Sequence, residues 1–246
     1  MSKFVHHGED KKTYVKNMFN DISKRYDLFN TISSFGVDRY WRYNLVRKFN
    51  LNKSDYLLDI ATGTGDVVFS MHRRFKNKLV GLDIADKMID LAKLKQVKKD
   101  FNKEDISFIQ GDGEDLGFSD NSFHGLTISF GFRNLGNYDK GLSEFYRVLK
   151  PGGILLCLVP DWESNYKIYF DDFTHRTPFT KISLKDIFLL CDFSDINVYK
   201  FRQLPIVWSY PYLNYLCAII SPFIPVRTQT KFFRWSRELM LIGYAR

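Results

Sequence analysis

The spacing of apolar side chains along the chain changes near residue 56. Before that point apolar residues recur every three or four positions, as at Tyr14, Val15 and Met18, which predicts helices within 11–50. After it, short apolar runs of strand length alternate with longer stretches of helical periodicity. We expect strands at 56–61, 79–83, 106–110, 123–129 and 153–159, and helices at 65–75, 86–99 and 138–149.

Beyond Pro160 the pattern is looser, but it still predicts a helix at 183–191 and strands at 193–200 and 239–245. Strands that alternate with helices usually form a parallel sheet with helices on both faces. The expected fold class is therefore α/β, with a doubly wound, mostly parallel, Rossmann-like sheet of seven strands.

An uncharged segment, 204–226, interrupts this C-terminal pattern. Its longest apolar stretch is about 10 residues, and a membrane-spanning helix needs roughly 20. Three interpretations stay open: a buried helical cap over the active site, a surface that dips into a membrane, and an oligomer interface. Arg202 and Arg227 flank the segment, and its aromatic residues include Trp208 and Tyr210, a combination that is typical of interfacial membrane contacts.

Charge and cysteine content narrow the choice of partners and compartment. The 36 Lys and Arg residues against 28 Asp and Glu give a net charge of +8, which fits a solvated lysine-rich surface or an anionic partner. Cys157, Cys191 and Cys217 have no metal-ligand spacing, so we predict reduced thiols and no metal site. The polar N-terminus does not resemble a signal peptide, and we expect a cytoplasmic protein, with peripheral membrane contact left open.

The most specific motif is the turn at 59–65, where a buried strand ends and Gly63, Thr64 and Gly65 open into a helix. Glycine lets the backbone approach a ligand closely, and the helix N-terminus then points at that ligand. The next strand ends in Asp83, which is placed to accept hydrogen bonds from ribose hydroxyls. Together these features predict a nucleoside-binding site.

The acidic residues of this site favour one cofactor over a dinucleotide. A dinucleotide motif needs a third glycine, which is missing here, and the carboxylates of Asp59 and Asp66 would repel a pyrophosphate. They suit S-adenosylmethionine, which carries a sulfonium and an ammonium group. A third strand ends at Asp112-Gly113, where the carboxylate could accept the adenine amino hydrogens.

The motifs at 59–66, Asp83, Asp112-Gly113 and 149–153 resemble those of class I S-adenosylmethionine-dependent methyltransferases. The resemblance implies that Thr64, Asp83, Asp112, Gly113 and Ser129 contact the cofactor. With the residues of the turn and its neighbours, the predicted cofactor-binding set is Asp59, Gly63, Thr64, Gly65, Asp83, Ile84, Asp112, Gly113 and Ser129.

A narrower resemblance, over about residues 14–158, is to the ubiquinone/menaquinone-biosynthesis C-methyltransferases. It rests on Tyr-Asp-Leu-Phe-Asn at 26–30, on 127–134 and on 146–153. It implies a prenylated quinone precursor as the methyl acceptor. The residues after 158 do not share the likeness, which keeps a different lipid, or a small hydrophobic phenol or acid, as the alternative acceptor.

Candidate catalytic residues follow from the chemistry of C-methylation. The ring carbon must be made electron-rich by deprotonating a neighbouring hydroxyl, and His175 is our candidate base, with Tyr26 and Asp27 as alternatives. Arg133 and Asn134 follow the fourth strand and could hold an oxygen of the acceptor. The predicted substrate-binding residues are Tyr26, Asp27, Asn30 and Arg133, and the predicted catalytic residues are His175, Arg133 and Asn134.

We expect one methyltransferase domain over 1–246, with an N-terminal helical cap (1–50), a cofactor-binding core (51–160) and an acceptor-side region (161–246). The expected partner is a small hydrophobic or lipid-like acceptor, and both membrane contact and a homodimer stay open. A nucleic-acid substrate is not expected, because 126–134 holds no Asn-Pro-Pro type motif for exocyclic amines.

Overall fold

The computed structural model describes residues 8–34, 46, 52–167, 169–171, 177–202, 204–224 and 238–246. The helices are α1 (Gly8–Ser34), α2 (Asp66–Phe75), α3 (Asp86–Lys98), α4 (Tyr138–Val148), α5 (Trp162–Asn165), α6 (Lys181–Leu190), α7 (Pro205–Ser209) and α8 (Leu213–Ile220), with short 3-10 turns at Phe132–Asn134, Tyr169–Asp171 and Ser221–Phe223. The strands are β1 (Tyr56–Ile60), β2 (Lys78–Asp83), β3 (Ile106–Gln110), β4 (Phe123–Ser129), β5 (Leu149–Pro160), β6 (Asn197–Arg202) and β7 (Glu238–Ala245).

These strands form one seven-stranded sheet in the order β3-β2-β1-β4-β5-β7-β6. All neighbouring pairs from β3 to β5 are parallel, and β7 is antiparallel to both β5 and β6. The chain moves outward from β1 to β3 and then returns to β4, so the strand order reverses between β1 and β4. In open α/β sheets, ligands bind in the crevice at the carboxyl ends of the strands beside such a reversal.

Alternate residues of the central strands pack on opposite faces of the sheet, as the period of two in a strand requires. Leu58 and Ile60 join a core that includes side chains of α4 and α6. Leu57 joins a second core with side chains of α2 and α3. Helices therefore cover both faces, and the predicted doubly wound fold is confirmed.

Several predicted boundaries shift. Helix α1 begins at Gly8, three residues before the predicted helical region at 11–50. β5 begins at Leu149 rather than 153, because Phe123 already pairs with Leu149; the register then shifts, and Gly152 takes a positive φ of 75°. β6 begins at Asn197 rather than 193, after a turn in which Asp192 and Asp195 also have positive φ.

The connection between β6 and β7 has a defined position on the sheet. Because β7 is antiparallel to both neighbours, β6 runs in the same direction as β1–β5. Residues 204–224, which we name the β6–β7 insertion, follow β6 and therefore begin at the edge of the sheet where β1, β2 and β4 end. Among the described residues, none of the helices combines the length and apolarity that crossing a membrane requires.

Candidate functional site

The turn after β1 is held in a conformation that glycine favours. Ala61, Gly63 and Gly65 all have positive φ, at 53°, 55° and 83°. A Cβ on Gly65 would stand 2.6 Å from the Phe108 ring, so a side chain there would displace the ring. The turn is also tied to β2, because the Thr62 N–H donates to the Leu82 carbonyl over 3.0 Å.

Asp83, at the end of β2, accepts two backbone hydrogen bonds. The Gly63 N–H donates to its Oδ2 over 2.7 Å, and the Ala85 N–H donates to its Oδ1 over 2.9 Å. The side chain is buried, and burial raises the pKa of the Asp83 carboxyl against these hydrogen bonds. An ionised carboxylate has about four acceptor positions, so capacity for ligand hydroxyls remains.

Asp59 lies deeper, with only 1% of its surface exposed. The Thr62 hydroxyl donates to its Oδ2 over 2.7 Å, and the Thr127 hydroxyl donates to its Oδ1 over 2.5 Å. These bonds connect β1, the glycine turn and β4 across the point where the strand order reverses. The structure therefore gives Asp59 a part in positioning the turn.

Asp112, after β3, is joined to α1. The Glu114 N–H donates to its Oδ1 over 2.9 Å, and the Lys12 ammonium donates to its Oδ2 over 2.7 Å. Lys12 also contacts Glu114 Oε2 at 3.1 Å. These contacts raise the pKa of Lys12 although burial opposes the shift. Gly113 is buried beside them, and a Cβ there would stand 3.0 Å from Ile60.

Helix α1 also contacts the glycine turn. The Thr64 hydroxyl donates to Asp27 Oδ1 over 2.6 Å, and Lys95 bridges Asp27 Oδ2 at 2.7 Å and Asp66 Oδ1 at 3.0 Å. Tyr26 Cε1 lies 3.9 Å from the place that a Cβ on Gly63 would take. The structure thus brings Tyr26 and Asp27 together with the predicted cofactor residues.

The end of β4 carries Ser129 and the 3-10 turn Phe132–Asn134. The Ser129 hydroxyl is buried and has no hydrogen-bond partner among the described residues. The Arg133 carbonyl accepts from Lys11 Nζ at 3.0 Å and from the Tyr138 hydroxyl at 3.1 Å. The N-cap of α4 is Asn137, whose side chain accepts from the Lys140 N–H, so capping does not account for Arg133 and Asn134.

The remaining predicted residues are Ile84, Asn30 and His175. Ile84 is half-buried directly after β2, and its carbonyl accepts from Gln110 Nε2 at 3.3 Å. Asn30 belongs to α1, but its side chain lies outside what the structure describes. His175 also lies outside the described residues, so its role as a base stays a prediction.

Three lysines that no sequence pattern predicted organise this edge. Lys11 is 4% exposed and Lys12 is 6% exposed, and Lys95 contacts side chains 29 to 68 positions away along the chain. Burial lowers the pKa of Lys11 to about 8, with Glu114 opposing the shift. No local pattern distinguishes such lysines from the many solvated ones, because the partners that join them to this edge are distant in sequence.

The residues at this edge fit S-adenosylmethionine chemically. The carboxylates of Asp83 and Asp112 can accept from hydroxyl and amino groups, and Lys12 already shows Asp112 accepting from nitrogen. The buried Ser129 hydroxyl still needs a partner, which a polar ligand would supply. Gly63 leaves open space where a side chain would stand, apart from the edge of Tyr26.

The chain is similar to proteins of one methyltransferase family. The model of the ubiE/COQ5 methyltransferase family matches residues 7–177. A demethylmenaquinone methyltransferase from Bacteroides fragilis is 41% identical over 149 residues, covering 60% of each chain. A ubiquinone/menaquinone biosynthesis C-methyltransferase, UbiE of Geotalea daltonii, is 38% identical over 160 residues, covering 64% of this chain and 66% of that one. The match thus spans less than two-thirds of the Bacteroides protein's length.

The fold has relatives among solved structures. Phosphoethanolamine N-methyltransferase 2 of Haemonchus contortus, solved in complex with S-adenosyl-L-methionine, superposes with a TM-score of 0.63. The superposition covers 92% of this chain and 59% of that one, at 18% sequence identity. At this identity the likeness concerns the fold alone.

Proposed function

Because this chain belongs to the ubiE/COQ5 methyltransferase family, we propose that it transfers the methyl group of S-adenosylmethionine to a ring carbon of a prenylated quinone precursor. The names of its relatives in Bacteroides and Geotalea support this acceptor class. The observation that carries the proposal is the set of acidic strand ends, Asp83 and Asp112, around the Gly63–Gly65 turn where the strand order reverses.

The cofactor would be held at this edge. In our proposal Asp83 accepts from the ribose hydroxyls, and Asp112 with the Gly113 backbone recognises the adenine. The turn residues Gly63, Thr64 and Gly65 leave room for the amino-acid part, and Asp59 fixes that turn through Thr62 and Thr127. Ile84 and Ser129 complete the set, the first as an apolar wall and the second through its hydroxyl.

When bound, S-adenosylmethionine supplies an activated methyl group on a good leaving group. The protein's own contribution is alignment and exclusion of water. Helix α1 supports the exclusion of water, because it lies over this edge: Lys12 contacts Asp112, and Asp27 and Tyr26 lie against the glycine turn.

The acceptor would approach from the end of β4. We propose that Arg133 and Asn134 hold a ring oxygen, because they lie in the 3-10 turn that follows β4 and neither caps the next helix. Tyr26, Asp27 and Asn30 would form the opposite side. His175 is our proposed base for the ring hydroxyl, and a His175→Ala enzyme should lose turnover most strongly at low pH, where fewer quinol hydroxyls ionise unaided.

The division of labour in the chain follows the same proposal. Residues 1–50 would cover the cofactor, 51–160 would bind it, and 161–246 would face the acceptor. We propose that all three belong to a single domain, and the pairing of β7 with β5 and β6, which joins the last part to the sheet of the second, supports this.

Incubation with methyl-labelled S-adenosylmethionine and a demethylated prenyl quinol tests the proposal. Label should enter the lipid phase with the wild-type protein, and Asp83→Ala should lower the incorporation strongly when the cofactor is limiting. A protein that binds the cofactor but labels only a phenol or fatty acid would show that another acceptor is used.

A further inference from the structure

The β6–β7 insertion exposes an unusual amount of apolar surface. Eight of the nineteen exposed large apolar side chains among the described residues lie between 206 and 223. Helix α8 has no charged residue, and Asn214 is its one amide side chain, yet none of its residues is buried in the part of the chain described. We name six of these side chains the apolar patch: Tyr212, Tyr215, Leu216, Ile219, Ile220 and Phe223, which are 42–85% exposed.

The segment that carries the apolar patch is anchored to the rest of the protein. Leu204 and Val207 are 5% and 2% exposed, so the start of the insertion is packed in the protein. The Arg202 guanidinium donates to Asn214 Oδ1 over 3.2 Å, which connects α8 to the end of β6. The apolar side chains therefore face outward from a packed base. Monomeric proteins rarely leave large contiguous apolar surfaces without a partner.

Composition and charge indicate what the partner is. Residues 204–226 hold no charge, and the sequence that follows, 227–237, has four basic residues and no acidic one. Three tyrosines, Tyr210, Tyr212 and Tyr215, accompany the aliphatic residues. Apolar side chains with tyrosines and nearby lysine and arginine are the composition of segments that lie in the interface of an anionic membrane. A second copy of this chain would bring two basic stretches of like charge into the same assembly.

The position of the patch gives it a use. The insertion leaves the sheet at the edge where β1, β2 and β4 end, which is the edge of the proposed methyl-transfer site. We propose that the apolar patch docks this protein on the surface of an anionic phospholipid bilayer. The docking would bring a membrane-dissolved acceptor to the enzyme, and this last point rests on the proposed function, whereas docking itself does not.

Vesicle flotation tests the docking with a matched pair of triple variants. The first is Tyr215→Ser/Ile219→Ser/Phe223→Ser, within the patch. The second is Val97→Ser/Ile182→Ser/Leu190→Ser, which removes apolar side chains of similar exposure, 64–81%, from α3 and α6. The vesicles contain phosphatidylglycerol in phosphatidylcholine, or phosphatidylcholine alone, and thermal unfolding checks that both variants fold.

We expect the wild type and the α3/α6 variant to float with the phosphatidylglycerol vesicles. The patch variant should partition at least about tenfold less, and all three should bind phosphatidylcholine vesicles more weakly. Equal partitioning of both variants would overturn the proposal. So would a wild type that stays off the vesicles while sedimenting as a dimer that the patch substitutions dissociate.

A parallel assay keeps this result separate from the methyl-transfer proposal. Methylation of a short-chain, water-soluble demethylated quinol does not need a membrane, so the patch variant should methylate it like the wild type. Vesicle binding without any quinol methylation would leave docking standing and remove the proposed function. Quinol methylation without vesicle binding would remove the docking proposal and leave the proposed function standing.

Discussion

The glycine turn and the β6–β7 insertion both begin at the same edge of the sheet, but they differ in which side chains are buried and which are exposed. Around Asp59 and Asp83, polar groups are buried and hydrogen-bonded to one another. Around Ile219, apolar side chains are exposed. A small polar ligand needs donors and acceptors that are fixed in advance, since each unpaired buried group is costly. An apolar surface needs only exposure and the right shape.

The two regions also differ in whether the family model matches them. The match ends at residue 177, and the insertion lies beyond it. The part of the chain that would bind the donor thus has named relatives, whereas the surface that would meet a membrane is argued from its own side chains.

The largest contrast should appear in stability, between two isoleucines. Ile128 is 0% exposed in β4, and Ile219 is 68% exposed in α8. We expect Ile128→Ala to lower the free energy of unfolding by about 3–4 kcal/mol, because it removes packed atoms and leaves a cavity. Ile219→Ala should change it by less than about 0.5 kcal/mol. Urea denaturation measures both, and similar values for the pair would contradict the contrast.

The next largest effect should be on cofactor affinity. Asp83→Ala should weaken S-adenosylmethionine binding about 100-fold, which corresponds to the loss of one or two hydrogen bonds to a charged group. Asp86→Ala is the matched control, because Asp86 is a carboxylate three positions further on that bonds to Asn20 instead. Calorimetric titration gives both affinities. Equal losses in the two variants would show that Asp83 has no particular role.

A pH dependence of stability distinguishes Lys11, one of the two buried lysines of α1, from solvated lysines. The pKa of Lys11 is lowered by burial to about 8, against 10.5 in the unfolded chain. Between these values the unfolded state binds more protons, so this site should add stability as the pH rises from about 8 to about 10.5.

Denaturation of the wild type and of Lys11→Met across that window isolates the effect. The difference between their free energies of unfolding should move in favour of the wild type by about 2 kcal/mol. A difference that stays constant with pH would mean that Lys11 titrates as a solvated lysine does.

The smallest effect should come from the cap of α4. Asn137→Ala removes the side-chain acceptor of the Lys140 N–H and should cost about 1 kcal/mol in unfolding. Asn137→Asp keeps an acceptor and should cost much less. Since the cap lies just after Arg133 and Asn134, turnover should fall only in proportion to the unfolded fraction, and a larger fall would mean that the cap also positions those residues.

The sequence predicted the sheet well because its strands are short apolar runs between turn residues, as 56–61 and 79–83 show. The acidic strand ends and the Gly-Thr-Gly turn could also be predicted, because each is recognised from residues that are neighbours in the sequence. The start of β5 at Leu149 was missed because a strand pairing overrode the helix-ending pattern around Pro151 and Gly152.

Other features could not be predicted from one sequence. Lys12 reaches Asp112 across 100 positions, and Lys95 reaches Asp27 across 68, so no nearby residue identifies either contact. The segment 204–226 has three interpretations from its sequence, because an apolar run reads the same whether it is buried or exposed. The exposed apolar side chains between 206 and 223 argue against a buried cap.

The central claim is that the methyl group reaches a ring carbon of a prenylated quinol. The most direct measurement is the structure of the product formed from carbon-13-labelled S-adenosylmethionine and a demethylated prenyl quinol, by NMR and mass spectrometry. We predict one labelled methyl group bonded to a ring carbon. A label on oxygen, or an unmodified quinol from a protein shown to bind the cofactor, would contradict the account.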